Sequence, residues 1–339
     1  MDFKLNRDII RWGIIGCGDV TEVKSGPGFA NADHSALVAV MRRTTDKAAD
    51  YARRHNVPRW YDDAQKLIDD PEVDAVYVAT PPGSHMEYTL RAAEAGKPVY
   101  VEKPMARDHQ ECRRMVDACR KAGVPLFVAY YRRRLPRILR VQQLIADGAI
   151  GEVRFVQHTL FQRPNPQENN RDELPWRVIP ELAGGGRFLD LASHALDVFD
   201  FLVGPIAHAT GRAANQAGLY DAEDIVTGNW VHQSGVIGAC TLCFTTFDRL
   251  DRCEIVGSKG VLTFQVIEGG PVELWTADGR ELFDDPNPPH VQQPLIQSIV
   301  DDLRGVGTCP STGESAARTN WVMDQMLEGY RGTRVSSKQ

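Results

Sequence analysis

Three groups of residues in this 339-residue chain have types and spacings that can do chemistry. The first is Gly16-Cys17-Gly18-Asp19-Val20-Thr21, a G-x-G-x-x-T run between an apolar segment and a helical one. Gly16 permits a tight turn. Gly18 lets backbone N–H groups approach a pyrophosphate with no Cβ in the way, and the following helix start adds N–H donors and a positive dipole end. The second is Glu102-Lys103-Pro104, where a lysine directed by its proline can donate to a hydroxyl or carbonyl and stabilise alkoxide charge. The third is the run Gly184 to Asp197. There Asp190 and His194 are four apart and share a helix face, so the carboxylate can orient the imidazole and raise its basicity. Such a histidine can take a proton from a hydroxyl while hydride leaves the same carbon.

These groups need elements to carry them. Residues 9–130 alternate buried strands (9–15, 36–41, 74–79, 98–101, 125–130) with helices (19–30, 46–54, 63–69, one capped by Ser84 with Glu87 and ending near 96, and 110–122). That rhythm predicts a doubly wound parallel sheet, a Rossmann domain over residues 1–130. The glycine run then follows the first strand, and Lys103 lies at the carboxyl end of another, where such sheets bind ligands. From residue 131 to 339 a helix (135–146) precedes β-type runs (153–161, 207–212, 224–231, 236–245, 253–256, 261–266, 272–275), interrupted by one helix at 187–202. This predicts an α+β domain with a mostly antiparallel sheet. The helix at 187–202 is apolar nearly all round, so its charged cluster needs a reason. The polar, proline-bearing segment 164–175 reads as a loop that overhangs a site.

The end of the second strand reads Val40-Met41-Arg42-Arg43-Thr44, with no acid to accept from a ribose 2′-OH. Arg42 and Arg43 suit a 2′-phosphate, which favours NADP over NAD. The formal charge of −6 gives no electrostatic reason to expect nucleic acid. Arg132-Arg133-Arg134 reads as a solvated helix start. The seven scattered cysteines form no disulfide framework. Cys240 and Cys243, three apart in a strand, point to opposite faces, so no metal site is expected there. No stretch approaches the roughly 20 apolar residues that span a bilayer, and no signal segment precedes the first strand, so a cytoplasmic protein is expected, with no membrane partner.

Together these pieces resemble the glucose–fructose oxidoreductase, inositol dehydrogenase and rhizopine-catabolism (Gfo/Idh/MocA) family over nearly the whole chain. The matching residues are Gly16-Cys17-Gly18, Asp74 to Pro82 with His85, Gly96 to Val99, Glu102-Lys103-Pro104, Arg132-Arg133 with Pro136, Gly184 to Asp197, and Thr312-Gly313-Glu314. The resemblance implies an NAD(P)-dependent oxidoreductase acting on a sugar, sugar derivative or cyclitol. It makes Lys103, Asp190 and His194 the catalytic set: His194 as acid/base, Lys103 polarising the reacting oxygen, Asp190 holding substrate or tuning His194. It places Thr80, Pro81, Pro82 and His85 near the nicotinamide, and brings Tyr131, Arg132, Arg133, Trp176 and Arg177 to cofactor or substrate. Trp176-Arg177 looks like the anhydrofructose-reductase branch, whereas Ala192 departs from the family's frequent glycine. The resemblance also implies that the sheet of residues 131–339 is open and that this domain binds substrate and another subunit, in a homodimer or homotetramer. Relatives that are cofactor-binding regulators, cofactor-dependent glycoside hydrolases or dihydrodiol dehydrogenases define the alternative functions.

Overall fold

A computed structural model describes residues 3–336. The chain forms two compact units that are not colinear with the sequence. The first takes residues up to Ala106, 110–134 and 288–317; the second takes Arg107–His109, 135–287 and the chain from Arg318 onward.

The first unit contains six strands: β1 (Ile10–Ile15), β2 (Ser35–Met41), β3 (Arg59–Tyr61), β4 (Ala75–Val78), β5 (Val99–Val101) and β6 (Leu126–Val128). They pair in parallel in the order β3-β2-β1-β4-β5-β6. The connecting helices are α1 (Gly26–Asn31), α2 (Thr45–Arg54), α3 (Ala64–Ile68), α4 (His85–Glu94) and α5 (His109–Ala122). β4, β5 and β6 are buried at every position, as continuous apolar runs in a doubly covered sheet must be. One face is filled by aromatics: Trp12 lies 4.9 Å from Phe29, Phe29 5.2 Å from Tyr77, and Tyr77 stacks on Tyr100 at 4.8 Å, between ring centroids.

Where sequence predicts one helix over 19–30, the structure has a π turn over Thr21–Ser25 that leads into α1, which is regular α-helix through Gly26, Pro27 and Gly28. The cause is local. Pro27 has no N–H, the Gly26 N–H donates to Thr21 O, and the Tyr51 hydroxyl reaches that same oxygen at 2.9 Å. The Ser84 capping box does not form: the Ser84 hydroxyl donates to Thr80 Oγ1 and Pro81 O instead. Sequence reading missed β3, three residues long, and a helix in 288–317, described next.

In the second unit, α6 (Pro136–Ala146), α7 (Pro180–Ala183) and α8 (Arg187–Val203) accompany eight strands. These are β7 (Val153–Phe161), β8 (Ile206–Ala214), β9 (Ile225–His232), β10 (Ile237–Cys243), β11 (Leu250–Gly257), β12 (Gly260–Phe264), β13 (Val272–Thr276) and β14 (Gly279–Phe283). Their order is β14-β13-β12-β11-β7-β10-β9-β8, antiparallel except where β7 runs parallel to β10. Then α9 (Gln293–Arg304) rejoins the first unit, and α10 (Gly313–Ser336) ends the described chain. Ser311 bonds both ways to Val128, which extends the sheet edge beyond β6. No helix among the described residues is long and apolar enough to cross a membrane.

The aromatic face sets a stability expectation. Phe29 is fully buried against Trp12, Tyr77 and Tyr100. Phe29→Ala is expected to cost about 3–5 kcal/mol, read by urea unfolding; a loss below about 1 kcal/mol would show that this face repacks freely.

Candidate functional site

The glycine run is built by β1 and β4 together. Gly16 has φ +94°, and a Cβ there would lie 2.8 Å from the Thr80 side chain and 3.0 Å from its backbone nitrogen, so only glycine makes this turn. The N–H groups of Gly16 and Cys17 both donate to Met41 O, which ties the loop to the end of β2. Gly18 is different: a Cβ there would meet nothing closer than 3.9 Å, so its face of the loop is open. The Gly18 carbonyl accepts from the N–H groups of Thr21 and Glu22, which starts the helix there. An open glycine face at a helix start fits a dinucleotide pyrophosphate. Thr21 is buried, its hydroxyl returning to Gly18 O at 2.7 Å; this intraloop bond is what the residue at the usual third-glycine place contributes.

Cys17 is buried, and burial pushes its thiol up to about 11, so it is a packing residue and no nucleophile. Asp19 is exposed and Val20 half-buried beside it. At the end of β2 the Arg42 guanidinium donates to Cys17 O at 3.2 Å, which brings its charge against the glycine run; Arg43 is exposed next to it.

The Glu102-Lys103-Pro104 corner is held by hydrogen bonds. Glu102 is buried; its Oε1 accepts from the Tyr77 hydroxyl at 2.5 Å and from Gln292 Nε2 at 2.7 Å, and its Oε2 from the Lys103 N–H at 3.1 Å. Lys103 Nζ therefore sits on a backbone fixed at its own N–H. His85 is fully buried, with Nε2 2.6 Å from Thr80 O and Nδ1 3.1 and 3.2 Å from Pro104 O and Met105 O. Burial lowers its pKa, while those carbonyls and Glu102 oppose the shift. The ring thus braces Thr80-Pro81-Pro82 against the lysine corner, with its nitrogens turned to backbone.

The arginine run departs from the solvated helix start that sequence predicts. Tyr131–Arg134 is a 3₁₀ turn in which Tyr131, Arg132 and Arg133 are buried. Arg132 lies 4.9 Å over the Tyr131 ring, and Arg133 donates to Pro310 O at 2.8 Å. A guanidinium is buried only with acceptors and a ring face to replace water, and distant chain supplies them.

In the second unit, α8 begins at a backbone junction. Gly184 has φ +86°, and a Cβ would lie 2.5 Å from Arg107 O; Gly186 donates its N–H to Glu223 Oε1 at 2.7 Å. The close approach that three glycines permit is therefore used by Arg107 and by a buried carboxylate at the positive end of α8. Of the α8 residues, His194 and Asp197 are buried and Asp190 is partly exposed. Asp190 Oδ2 lies 3.5 Å from Arg177 Nε, and Arg177 stacks 4.5 Å over Trp176. Trp176, Arg177 and Asp190 thus form one group. Sequence reading missed two residues that hold these parts, Gln292 on Glu102 and Glu223 on α8; both are remote in sequence, and nothing local marks them.

Residues 10–130 match the family described as oxidoreductase family, NAD-binding Rossmann fold, and residues 138–263 match the GFO/IDH/MocA C-terminal domain. Oxidoreductase P35 of Formosa agariphila is 38% identical over 93% of this chain and 97% of its own. The 1,5-anhydro-D-fructose reductase of Ensifer adhaerens is 30% identical over 90% of this chain and 91% of its own. The WlbA dehydrogenase from Bordetella pertussis, solved in complex with NADH and UDP-GlcNAcA, superposes with TM-score 0.83 at 26% identity, covering 97% of each chain.

One ion pair secures the helix that follows the glycine run. Arg54 donates to Glu22 at 2.7 and 2.9 Å and His55 Nε2 lies at 2.7 Å. Arg54 outweighs partial burial, and His55 adds to it, so the Glu22 carboxyl falls from 4.5 to about 2. A depressed folded-state pKa stabilises above the unfolded value and is lost as pH falls through the folded one. Glu22→Gln is expected to lower the melting temperature at pH 7, with the gap to the parent closing between pH 4.5 and 2; a gap that is constant with pH would refute the pairing.

Proposed function

Since the chain belongs to the Gfo/Idh/MocA family of NAD-binding oxidoreductases, we propose that it moves a hydride between NADP and a carbon bearing a hydroxyl or carbonyl on a sugar, sugar derivative or cyclitol. The observation that carries this reading is the Gly16 turn with its open Gly18 face at a helix start, on the first strand of a six-stranded parallel sheet. When bound there, the nicotinamide supplies or accepts the hydride. The rest is the work of this chain's side chains. Lys103, on a corner fixed by Glu102, donates to the reacting oxygen and stabilises negative charge on it. His194 takes the hydroxyl proton in oxidation and returns it in reduction. Asp190, paired with Arg177, binds substrate hydroxyls or tunes His194. Gly16, Cys17, Gly18, Asp19 and Val20 form the pyrophosphate loop, and Thr80 to Pro82 line the nicotinamide side, with His85 and Glu102 holding that side in place. Arg132 and Trp176 complete the cofactor set, and Tyr131 and Arg177 the substrate set.

Arg42 and Arg43 support NADP over NAD, since Arg42 is already turned to the glycine run and no acid competes at the end of β2. Self-association belongs to the same reading. Phe155 and Ile237 are cross-strand neighbours on β7 and β10, and both are exposed, giving an apolar sheet face for a second copy.

Two variants test this. Lys103→Ala is expected to abolish turnover across a polyol and sugar panel while dinucleotide affinity, read by titration of reduced-nicotinamide fluorescence, largely survives; equal turnover would remove Lys103 from the chemistry. Replacing Arg42 and Arg43 together by alanine is expected to weaken NADP binding about 10–100-fold, the worth of charge-assisted hydrogen bonds to a phosphate, and to leave NAD binding nearly unchanged. An equal loss for both cofactors would sink the NADP preference.

A further inference from the structure

A second cluster of ligating side chains lies in the core of the second unit. β7 and β11 are antiparallel, and His158 stands directly opposite Cys253. Asp251 is two residues before Cys253, so all three side chains share the face that packs toward α8. All three are buried, and one potential ligand atom from each lies within 4.8 Å of the others. Their surroundings are apolar: Val156, Leu160, Ile255 and Phe264 are buried alongside, and the Phe199 ring of α8 is 6.4 Å from the His158 ring.

Two polar atoms in this cluster lack a hydrogen-bond partner among the described residues, His158 Nε2 and Asp251 Oδ1. They face each other at 3.6 Å. That is too long for a good hydrogen bond. It is close to the separation of about 3.4 Å between two ligands that each sit about 2.1 Å from one tetrahedral ion. The other carboxylate oxygen, Asp251 Oδ2, accepts from the Ile267 and Glu268 N–H groups at 2.6 and 2.9 Å. Those bonds fix the carboxylate plane and aim Oδ1 at the histidine, as partners of metal-ligating carboxylates do.

We propose that His158 Nε2, Asp251 Oδ1 and Cys253 Sγ bind one divalent metal ion of the zinc type, which clamps β7 to β11 and to the turn at 265–268 beneath α8. The donor set selects the ion. Sulfur with nitrogen suits zinc, whereas magnesium and calcium require oxygen. Charge agrees as well: a thiolate, a carboxylate and a neutral imidazole sum to −2, so a dication leaves the buried cluster neutral and gives both orphaned atoms a partner. On binding, the Cys253 S–H bond breaks, its proton goes to solvent and the sulfur pair forms the metal bond. Three protein ligands leave the fourth tetrahedral position to an exogenous ligand such as water. The role is structural: the clamp fixes the sheet face on which α8, the carrier of Asp190 and His194, is packed through Phe199.

The test uses the full chain, produced in zinc-supplemented medium and purified without a metal-affinity column. Elemental analysis after dialysis is expected to find close to one zinc per chain, falling at least ten-fold in Cys253→Ala and unchanged in Cys119→Ala, another buried cysteine. Should Cys253→Ala fold poorly, the parent chain answers alone. Unfolded in chelator and refolded with cobalt(II), it is expected to show a thiolate-to-cobalt charge-transfer band and to melt several degrees above the metal-free refolded chain. Less than a tenth of an equivalent of zinc together with no such band, or full zinc retention in Cys253→Ala, would overturn the proposal. The readouts are metal content and spectra, so they stand whether or not the dehydrogenase reading holds.

Discussion

The lysine corner of the first unit depends on how a buried carboxylate is satisfied at the end of β5. Glu102 has left water, and a polar group there is tolerated only with partners. It takes them from three places: Tyr77 on β4, Gln292 just before α9, and the N–H of the residue that follows it. The same oxygens that must be satisfied therefore connect two strands and a distant return of the chain at one point. Lys103 is the next residue, so its backbone inherits that rigidity. His85 repeats the device from the other side, where one imidazole spans three carbonyl oxygens belonging to Thr80, Pro104 and Met105. In the proposed reaction, a flexible lysine placed by such a frame loses less freedom when it meets the reacting oxygen.

The second unit uses the same economy at the start of α8. Gly184 and Gly186 bring backbone close enough for Arg107 and Glu223 to pack without a Cβ between them, and the Glu223 carboxylate answers the N–H groups and dipole at the helix end. The helix is then anchored further along by Asp200, which accepts two bonds from Arg318 at 3.0 and 2.6 Å. Asp190 and His194 lie between these two anchors, on a helix that is mostly buried. Fixing both ends of a helix fixes the facing of every residue on it, which is what a shared Asp–His face requires.

Tertiary structure also corrected local expectations for physical reasons. Ser84 and Glu87 have capping-box spacing, yet the serine hydroxyl finds Thr80 and Pro81 first, because the turn at 80–84 folds back on itself. Arg132 and Arg133 look solvated in sequence but are buried against a tyrosine ring and a carbonyl from residue 310. β3 and β14 escaped notice because a three-residue strand and an exposed polar edge strand carry no hydrophobic period.

The sequence by itself determined the parallel sheet, the second strand-rich sheet, the glycine turn after the first strand and the Asp190–His194 spacing. Each of these is written in local periodicity or in short-range sterics, which neighbouring residues alone impose. Tertiary structure alone decided which distant groups complete them: Gln292 on Glu102, Glu223 on the glycine junction, and Cys253 opposite His158. Those pairings depend on which strands and segments lie side by side, and strand order is set by burial of whole faces, which no local window contains.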